Sequence, residues 1–290
     1  MKKIISIFLI IIPIALPAQL SDFNDTIVKT VVLIEKKVGS KIQPHGTGFI
    51  LYDYNSALRY IVTNKHIIGK HKSLYVSLPL KGMISNKKII LQDDNWEVTN
   101  NNIRGKVDLI PDSTVVFSRN YDLAVFKMEI PSHIVLSDNN DSISVERLSI
   151  PRSGILKLNQ VEVGTDVYFI GFPFHIGTEI GYAYDTTRLF SDIASNPLVR
   201  KGLLSWKSER SNEFLIDGFS FGGNSGSPVI TKIDRETGRS YLIGIVQGHL
   251  SEYDTTLKHS DYIKYNAGLA RCISSDQILN LIEIYKEKCE

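Results

Sequence analysis

The chain has 290 residues, of which 43% are hydrophobic and 22% charged, and its formal net charge is +2. Length and composition describe one large globular domain or two small ones, and exclude a disordered chain, a collagen and a polytopic membrane protein. Lys2 and Lys3 supply the excess positive charge, so no surface for nucleic acid or anionic lipid is expected.

The chain opens on a targeting segment. Met1-Lys2-Lys3 is a short positive stretch, and Ile4 to Leu16 is almost wholly apolar. That run suits the apolar region of a signal peptide and is short for a membrane span. Cleavage after Ala18 makes residues 1–18 a signal peptide. It predicts a secreted or periplasmic protein with no stable membrane anchor once the signal is gone. An uncleaved anchor is the alternative.

Strands follow. Thr30-Val31-Val32-Leu33-Ile34, Thr47-Gly48-Phe49-Ile50-Leu51-Tyr52 and Tyr60-Ile61-Val62-Thr63 are apolar or β-branched runs, the last two separated by the turn composition Asp53-Tyr54-Asn55-Ser56. Leu74 to Leu78 alternates, and Ile89-Ile90-Leu91, Thr114 to Phe117 and Leu123 to Phe126 are shorter. Pro131, Asp138 to Asp141, Pro151 and Ser153-Gly154 make a polar, turn-rich stretch, read as a connection between two halves. Strands resume at Asp166 to Ile170, Gly202 to Trp206, Glu213 to Ile216, Pro228 to Ile230 and Tyr241 to Val246. Many short strands with turns between them indicate an all-β sandwich or a pair of barrels.

The last element is a helix. Ser274 can cap it with Gln277 as capping-box partner. Ile278, Leu281, Ile282 and Tyr285 recur on one face, which is expected to pack on the β body rather than to seat a partner. An exported chain permits a disulfide between its two cysteines, Cys272 and Cys289, but two unpaired thiols fit equally well.

Three segments carry chemistry. Gly222-Gly223-Asn224-Ser225-Gly226-Ser227-Pro228 precedes an apolar run. Its glycines allow a tight turn that exposes the Ser225 hydroxyl and converges backbone N–H groups near it, as acyl transfer requires. A plain Gly/Ser turn is the alternative. A serine needs a base, and His66 follows an apolar strand end in "TNKH", although a buried structural imidazole fits that place too. The base needs an orienting carboxylate. Asp122 begins the apolar run of "YDLAVFK", where it also fits as a turn residue.

Together these boxes resemble the trypsin-like serine peptidases of the chymotrypsin fold. "TNKH", "YDLAVFK" and "GNSGSP" occur in the order His, Asp, Ser, which is that of this fold. "GTGFI" at 46–50, "GFP" at 171–173 and "LIGIV" at 242–246 fit the same template. The flavour is similar to the exported bacterial branch that includes the glutamyl endopeptidases. The resemblance implies two six-stranded antiparallel β-barrels with a C-terminal α-helix. A first barrel at 19–135 carries His66 and Asp122. A linker at 136–160 leads to a second barrel at 161–273 carrying Ser225, and the helix occupies 274–290.

The same resemblance implies a serine endopeptidase acting on polypeptides without a metal or other cofactor. In it His66, Asp122 and Ser225 are the triad, and the N–H groups of Gly223 and Ser225 form the oxyanion hole. Asn224 stands where trypsin-type zymogens carry an Asp, so activation by a new N-terminal ammonium is not implied. The substrate pocket falls on Phe219, Val246, Gly248 and His249. Phe219 at its base disfavours Lys and Arg, and Val246 replaces the histidine that glutamyl enzymes use, so an apolar or small side chain is expected at the cleavage site, with an acidic one read by the nearby His249 as the alternative. A catalytically silent peptide-binding protein is the alternative function. The oligomeric state is not legible in the sequence.

Overall fold

The computed structural model describes residues 25–79, 89–90, 96–98, 102–111, 113–127, 129, 133–136, 142–144, 149–173, 196–208, 210–232, 239–253 and 264–289. The segment read as a signal peptide lies outside them. The first half holds a one-turn helix α1 (Asp25–Val28) and strands β1 (Val31–Val38), β2 (Lys41–Asp53) and β3 (Leu58–Thr63). A second one-turn helix, α2 (Lys65–Ile68), precedes β4 (Ser73–Pro79), β5 (Ile89–Ile90), β6 (Trp96–Val98), β7 (Asn102–Asp108), β8 (Val115–Phe117) and β9 (Ala124–Lys127). The middle of the chain adds β10 (His133–Leu136), β11 (Ser142–Ser144) and β12 (Ile150–Pro151). The second half comprises β13 (Asp166–Gly171), β14 (Leu198–Lys207), β15 (Glu213–Asp217), β16 (Pro228–Thr231), β17 (Leu242–Tyr253), β18 (Lys264–Ser274) and helix α3 (Ser275–Cys289).

The second half closes into a six-stranded barrel in the order β13-β14-β15-β18-β17-β16. The first half is a curled sheet whose order is β6-β7-β4-β1-β2-β3-β9-β8, an open path among the described residues. The fold is thus all-β with a C-terminal helix, one β-body per half. The expected linker is partly built into the first sheet, because β12 pairs in parallel with β2 through Ile150 and Pro151. β6 and β7 were not legible as strands. In β7 every inward residue (Ile103, Gly105, Val107) alternates with Arg104 or Lys106, and the mixed polarity hides the strand.

The continuous apolar runs have a simple cause. Successive strand residues point to opposite faces, and here both faces are covered. Val32 and Ile34 of β1, Ile50 of β2, Ile61 of β3 and Phe126 of β9 face one core inside the first sheet. Val31, Leu33, Phe49, Leu51, Tyr60, Val62 and Val125 face a second core. That second core also takes Ile170, Ile230, Ile245 and Ile273 from the barrel, so it welds the two halves together. The barrel has its own interior of Val167, Phe169, Phe214, Ile216, Val229, Val246 and Cys272.

Helix α3 lays Ile278, Leu281, Ile282 and Tyr285 into the shared core, as its periodicity predicts. Tyr285 meets Tyr60 edge-on at 5.4 Å. Ser274 does immediately precede the helix, but its buried Oγ makes no hydrogen bond, so the expected capping box is not formed. The helix is held instead by ion pairs. Buried Asp53 receives Lys286 and, at 3.2 Å, Arg152, and Arg152 also meets Glu283 at 2.6 Å. Burial pushes the Asp53 pKa upward, but the bonds from Lys286 and the Asn55 amide, with the nearby cations, outweigh it and hold the carboxyl below its ordinary value. The disulfide allowed by the sequence is not formed. Cys272 is sealed in the barrel interior, whereas Cys289 packs on the shared core outside it. Burial raises the Cys272 thiol well above its ordinary range.

Candidate active site

His66 sits in the single turn α2, which begins as soon as β3 ends at Thr63. Asp122 lies in the bend between β8 and β9, and β9 is the strand neighbour of β3. Antiparallel pairing of Thr63 with Ala124 therefore carries the two side chains to the same end of the sheet. Asp122 Oδ2 lies 2.5 Å from His66 Nδ1, and Asp122 Oδ1 accepts the His66 backbone N–H at 2.9 Å. Buried Asn64 ties the same bend by donating its side-chain amide to the Asp122 carbonyl at 2.8 Å. Partial burial pushes the Asp122 pKa upward, but the hydrogen bonds and charge of His66 prevail and keep the carboxyl below its usual value.

The imidazole itself remains accessible, with half of its side chain exposed against 21% for Asp122. Its neighbour His45 stacks edge-on with His71 at 5.2 Å. Burial, together with the charges of Lys36 and His71, lowers the His45 pKa to about 4. An uncharged ring therefore stands beside His66 at neutral pH.

The turn carrying Ser225 comes from the barrel and is sewn onto the first sheet by Thr47. The Thr47 N–H donates to the Ser225 carbonyl at 3.0 Å. Its hydroxyl donates to the Gly223 carbonyl at 2.7 Å and accepts the Phe172 N–H at 3.0 Å. Thr63 Oγ1 donates in turn to the Thr47 carbonyl at 2.7 Å. Gly226 makes the closest approach. Its φ is +90°, and a Cβ there would lie 1.7 Å from the Thr47 carbonyl oxygen and 2.8 Å from Thr63 Oγ1. Only glycine fits both demands. Ser225 is thereby held against the strand end that leads, three residues on, to His66.

Within the turn the N–H groups divide by role. Asn224 donates to the Phe221 carbonyl, Gly226 to Val246 and Ser227 to Asn224. Gly223, at φ +97°, and Ser225 donate to no acceptor among the described residues. These are the two N–H groups that the family resemblance assigns to an oxyanion. The Ser225 hydroxyl does not meet His66. It donates to the backbone carbonyl of Gln247 at 3.0 Å. Gln247 occupies a bulge between Val246 and Gly248, outside the register with β18, which leaves its carbonyl free of the ladder.

The four residues expected to form the pocket divide as well. Val246 is fully buried in the barrel interior and lines no surface, which corrects its assignment. It pairs across to Cys272, which faces the same interior. Phe219 is 55% exposed and lies over Gly268 of β18 rather than closing the floor of a pocket. Gly248 has open space around its Cα, and exposed His249 pairs across to Ala270, two residues from Gly268. Thr47, Asn64 and Gln247 were not singled out from the sequence. Thr47 lies in the "GTGFI" box, and its polarity within an apolar strand was the available signal.

No cluster of metal-ligating side chains occurs among the described residues. A family model described as a trypsin-like peptidase domain matches residues 46–245, more than half of the chain. No curated protein matches the chain significantly. Among solved structures, the chain is similar to the MamO protease domain from Magnetospirillum magneticum at 15% identity, covering 88% of this chain and 96% of that one with a TM-score of 0.46. It is also similar to the HtrA-type protease AlgW, solved with a decapeptide, at 15% identity, covering 91% of this chain and 66% of that one with a TM-score of 0.49.

Proposed function

The chain belongs to the trypsin-like peptidase family, and on that premise we propose that it is a serine endopeptidase that cleaves polypeptides through an acyl-enzyme. The observation that carries this reading is the His66–Asp122 pair, in which one carboxylate holds both the ring and the backbone of the histidine. An ionised Asp122 accepts from Nδ1–H, so the Nε2 lone pair is available as base. The Ser225 hydroxyl rotates from the Gln247 carbonyl toward Nε2 and gives up its proton as Oγ attacks the scissile carbonyl. The developing oxyanion is received by the Gly223 and Ser225 N–H groups. His66 then passes the proton to the leaving amine, and water repeats the sequence to free Ser225. Removing one oxyanion donor costs roughly 3 kcal/mol in such reactions.

The residue accepted at the cleavage site is proposed to be apolar or small. Phe219 and Gly268 offer apolar surface beside the nucleophile turn, and the charge of Arg200 nearby opposes a Lys or Arg side chain. Kinship with the exported glutamyl branch rests on "TNKH" and "GGNSGSP" alone. Residues 1–18 are proposed to direct export, which N-terminal sequencing of the mature protein tests.

One observation favours the second reading, a silent peptide-binding protein: the Ser225 hydroxyl is hydrogen-bonded away from His66. A fluorophosphonate probe separates the two. Covalent labelling at Ser225, abolished in folded His66→Ala, is the expected result. A wild-type protein that binds peptides yet stays unlabelled would replace the peptidase with the binding protein.

A further inference from the structure

Arg200 lies on β14 opposite Phe169 and projects toward the turn that leads to Ser225. Its Nη1 donates to the Phe219 carbonyl at 2.6 Å. Its guanidinium covers the Phe221 ring at 4.4 Å and approaches Phe169 at 5.9 Å. Among the described residues no carboxylate pairs with it. Partial burial lowers its pKa, with no anion in compensation among the described residues. A cation taken from water without a counter-charge is costly, and its shortest contacts, the Phe219 carbonyl and the Phe221 ring, both fall on one segment. The Phe219 and Phe221 rings lie nearly parallel, 16° apart with centroids at 6.4 Å, so Arg200 touches both members of one aromatic pair, one through its carbonyl and one through its ring. Arginine suits this place because its flat face covers a ring while its edge donates to a carbonyl.

The braced segment is short and consequential. Phe221 is two residues from Gly223, and the Phe221 carbonyl receives the Asn224 N–H at 3.0 Å, closing the turn that directs the Gly223 and Ser225 N–H groups. The far side of the turn is anchored by Thr47 and by Val246. The near side is anchored by Arg200 and by Asn266, which donates to the Ser220 carbonyl at 2.6 Å. We infer that Arg200 is a positioning residue for the oxyanion turn, acting through Phe219 and Phe221 to hold the Gly223 N–H where the tetrahedral intermediate needs it. The inference deepens the peptidase reading and rests on it for its catalytic consequence, but not for the brace itself.

The test uses the full chain in two measurements. The first is the rate of Ser225 labelling by a fluorophosphonate in wild type, Arg200→Ala and Arg200→Lys. A displacement of about 1 Å in a catalytic donor costs on the order of 100-fold. Arg200→Ala is therefore expected to label about 100-fold more slowly, with its melting curve little changed. Arg200→Lys, which keeps a charge and a donor but has no flat face, recovers only part of the rate. Added guanidinium restores labelling of Arg200→Ala. The second measurement is hydrogen exchange over residues 219–224, expected to quicken in Arg200→Ala while β18 stays protected. Labelling of folded Arg200→Ala at the wild-type rate overturns the inference, as does unchanged exchange over 219–224. Should Arg200→Ala not fold, Arg200→Lys is judged by the same two readings. A wild-type protein inert to the probe removes the peptidase reading, and the exchange measurement then decides the brace alone.

Discussion

His66 and Asp122 stand on the first sheet with the carboxylate bonded to ring and backbone and the bend secured by Asn64. The turn of Ser225, on the barrel, is finished differently. Ser220 Oγ, Asn224 Nδ2, Ser227 Oγ and Gln247 Oε1 are buried there without a protein hydrogen-bond partner. The N–H groups of Gly223 and Ser225 are also uncommitted among the described residues. Among the described residues next to His66 and Asp122, Asn64 Oδ1 is comparable. A buried polar atom without a partner costs about 1–3 kcal/mol, so the nucleophile turn, with Gln247 beside it, is the less fully satisfied of the two regions. The comparison teaches that the base side is set by folding alone. The nucleophile side leaves the Gly223 and Ser225 N–H groups uncommitted among the described residues, as the proposed oxyanion site requires.

The largest expected effect comes from removing either side outright. Ser225→Ala and His66→Ala should each lower kcat/KM by on the order of 10⁶, and the double variant should lose no more than either alone, since the groups act as one unit. Additive losses in steady-state assays on folded variants would break the unit apart. Next is Asp122→Asn, which keeps the shape but disturbs the tautomer and should cost about 10⁴ in kcat. Its pH signature is separate. The folded Asp122 carboxyl is held below its ordinary value, so the stability it lends is complete above the unfolded carboxylate pKa of about 4 and is lost as pH falls through the folded value. Denaturant titrations of wild type and Asp122→Asn should differ at pH 7 and converge in acid. A gap that widens on acidification has the wrong sign.

The nucleophile side is tested by its seam. Thr47→Val keeps the volume but removes the hydroxyl bonds to Gly223 and Phe172. It should cost roughly 2 kcal/mol in stability and lower kcat more than it raises KM. An unaltered kcat would show that the turn holds itself. Cleavage preference is a smaller effect: in a peptide library read by mass spectrometry, cuts after Ala, Val or Leu should exceed those after Lys or Arg by about 10-fold or more. A profile dominated by Arg or Lys would contradict the apolar surface of Phe219 and Gly268. The smallest effect on activity belongs to Asp53→Ala. It should leave kcat unchanged while costing roughly 3 kcal/mol of stability, because Lys286 and Arg152 lose their shared buried partner. A matching fall in kcat would couple the helix clamp to the site.

Much of this was legible before any fold was known. The doubly buried runs of β1, β2, β3 and β9 appear in sequence as unbroken apolar stretches because two cores cover their two faces. The helix face of α3 was legible because 3.6-residue spacing survives in any surface helix. β6 and β7 were not, since Arg104 and Lys106 alternate with the inward residues and Arg104 pairs with buried Glu35 across strands far apart in sequence.

The site divides along the same line. Residue types in order, His66 then Asp122 then Ser225, with glycines at 223 and 226, are properties of the chain itself, since that chemistry and those φ angles admit few other residues. Where each group points was decided by tertiary structure. Strand side chains alternate with a period of two, so the bulge at Gln247 shifts the phase of the residues that follow it, Gly248 and His249 among them. That bulge takes Gln247 out of the register with β18, and the Gln247 carbonyl holds the Ser225 hydroxyl. Thr47 and Arg200 reach the nucleophile turn from 178 and 25 residues away in sequence, and contacts over such separations leave no local pattern to read.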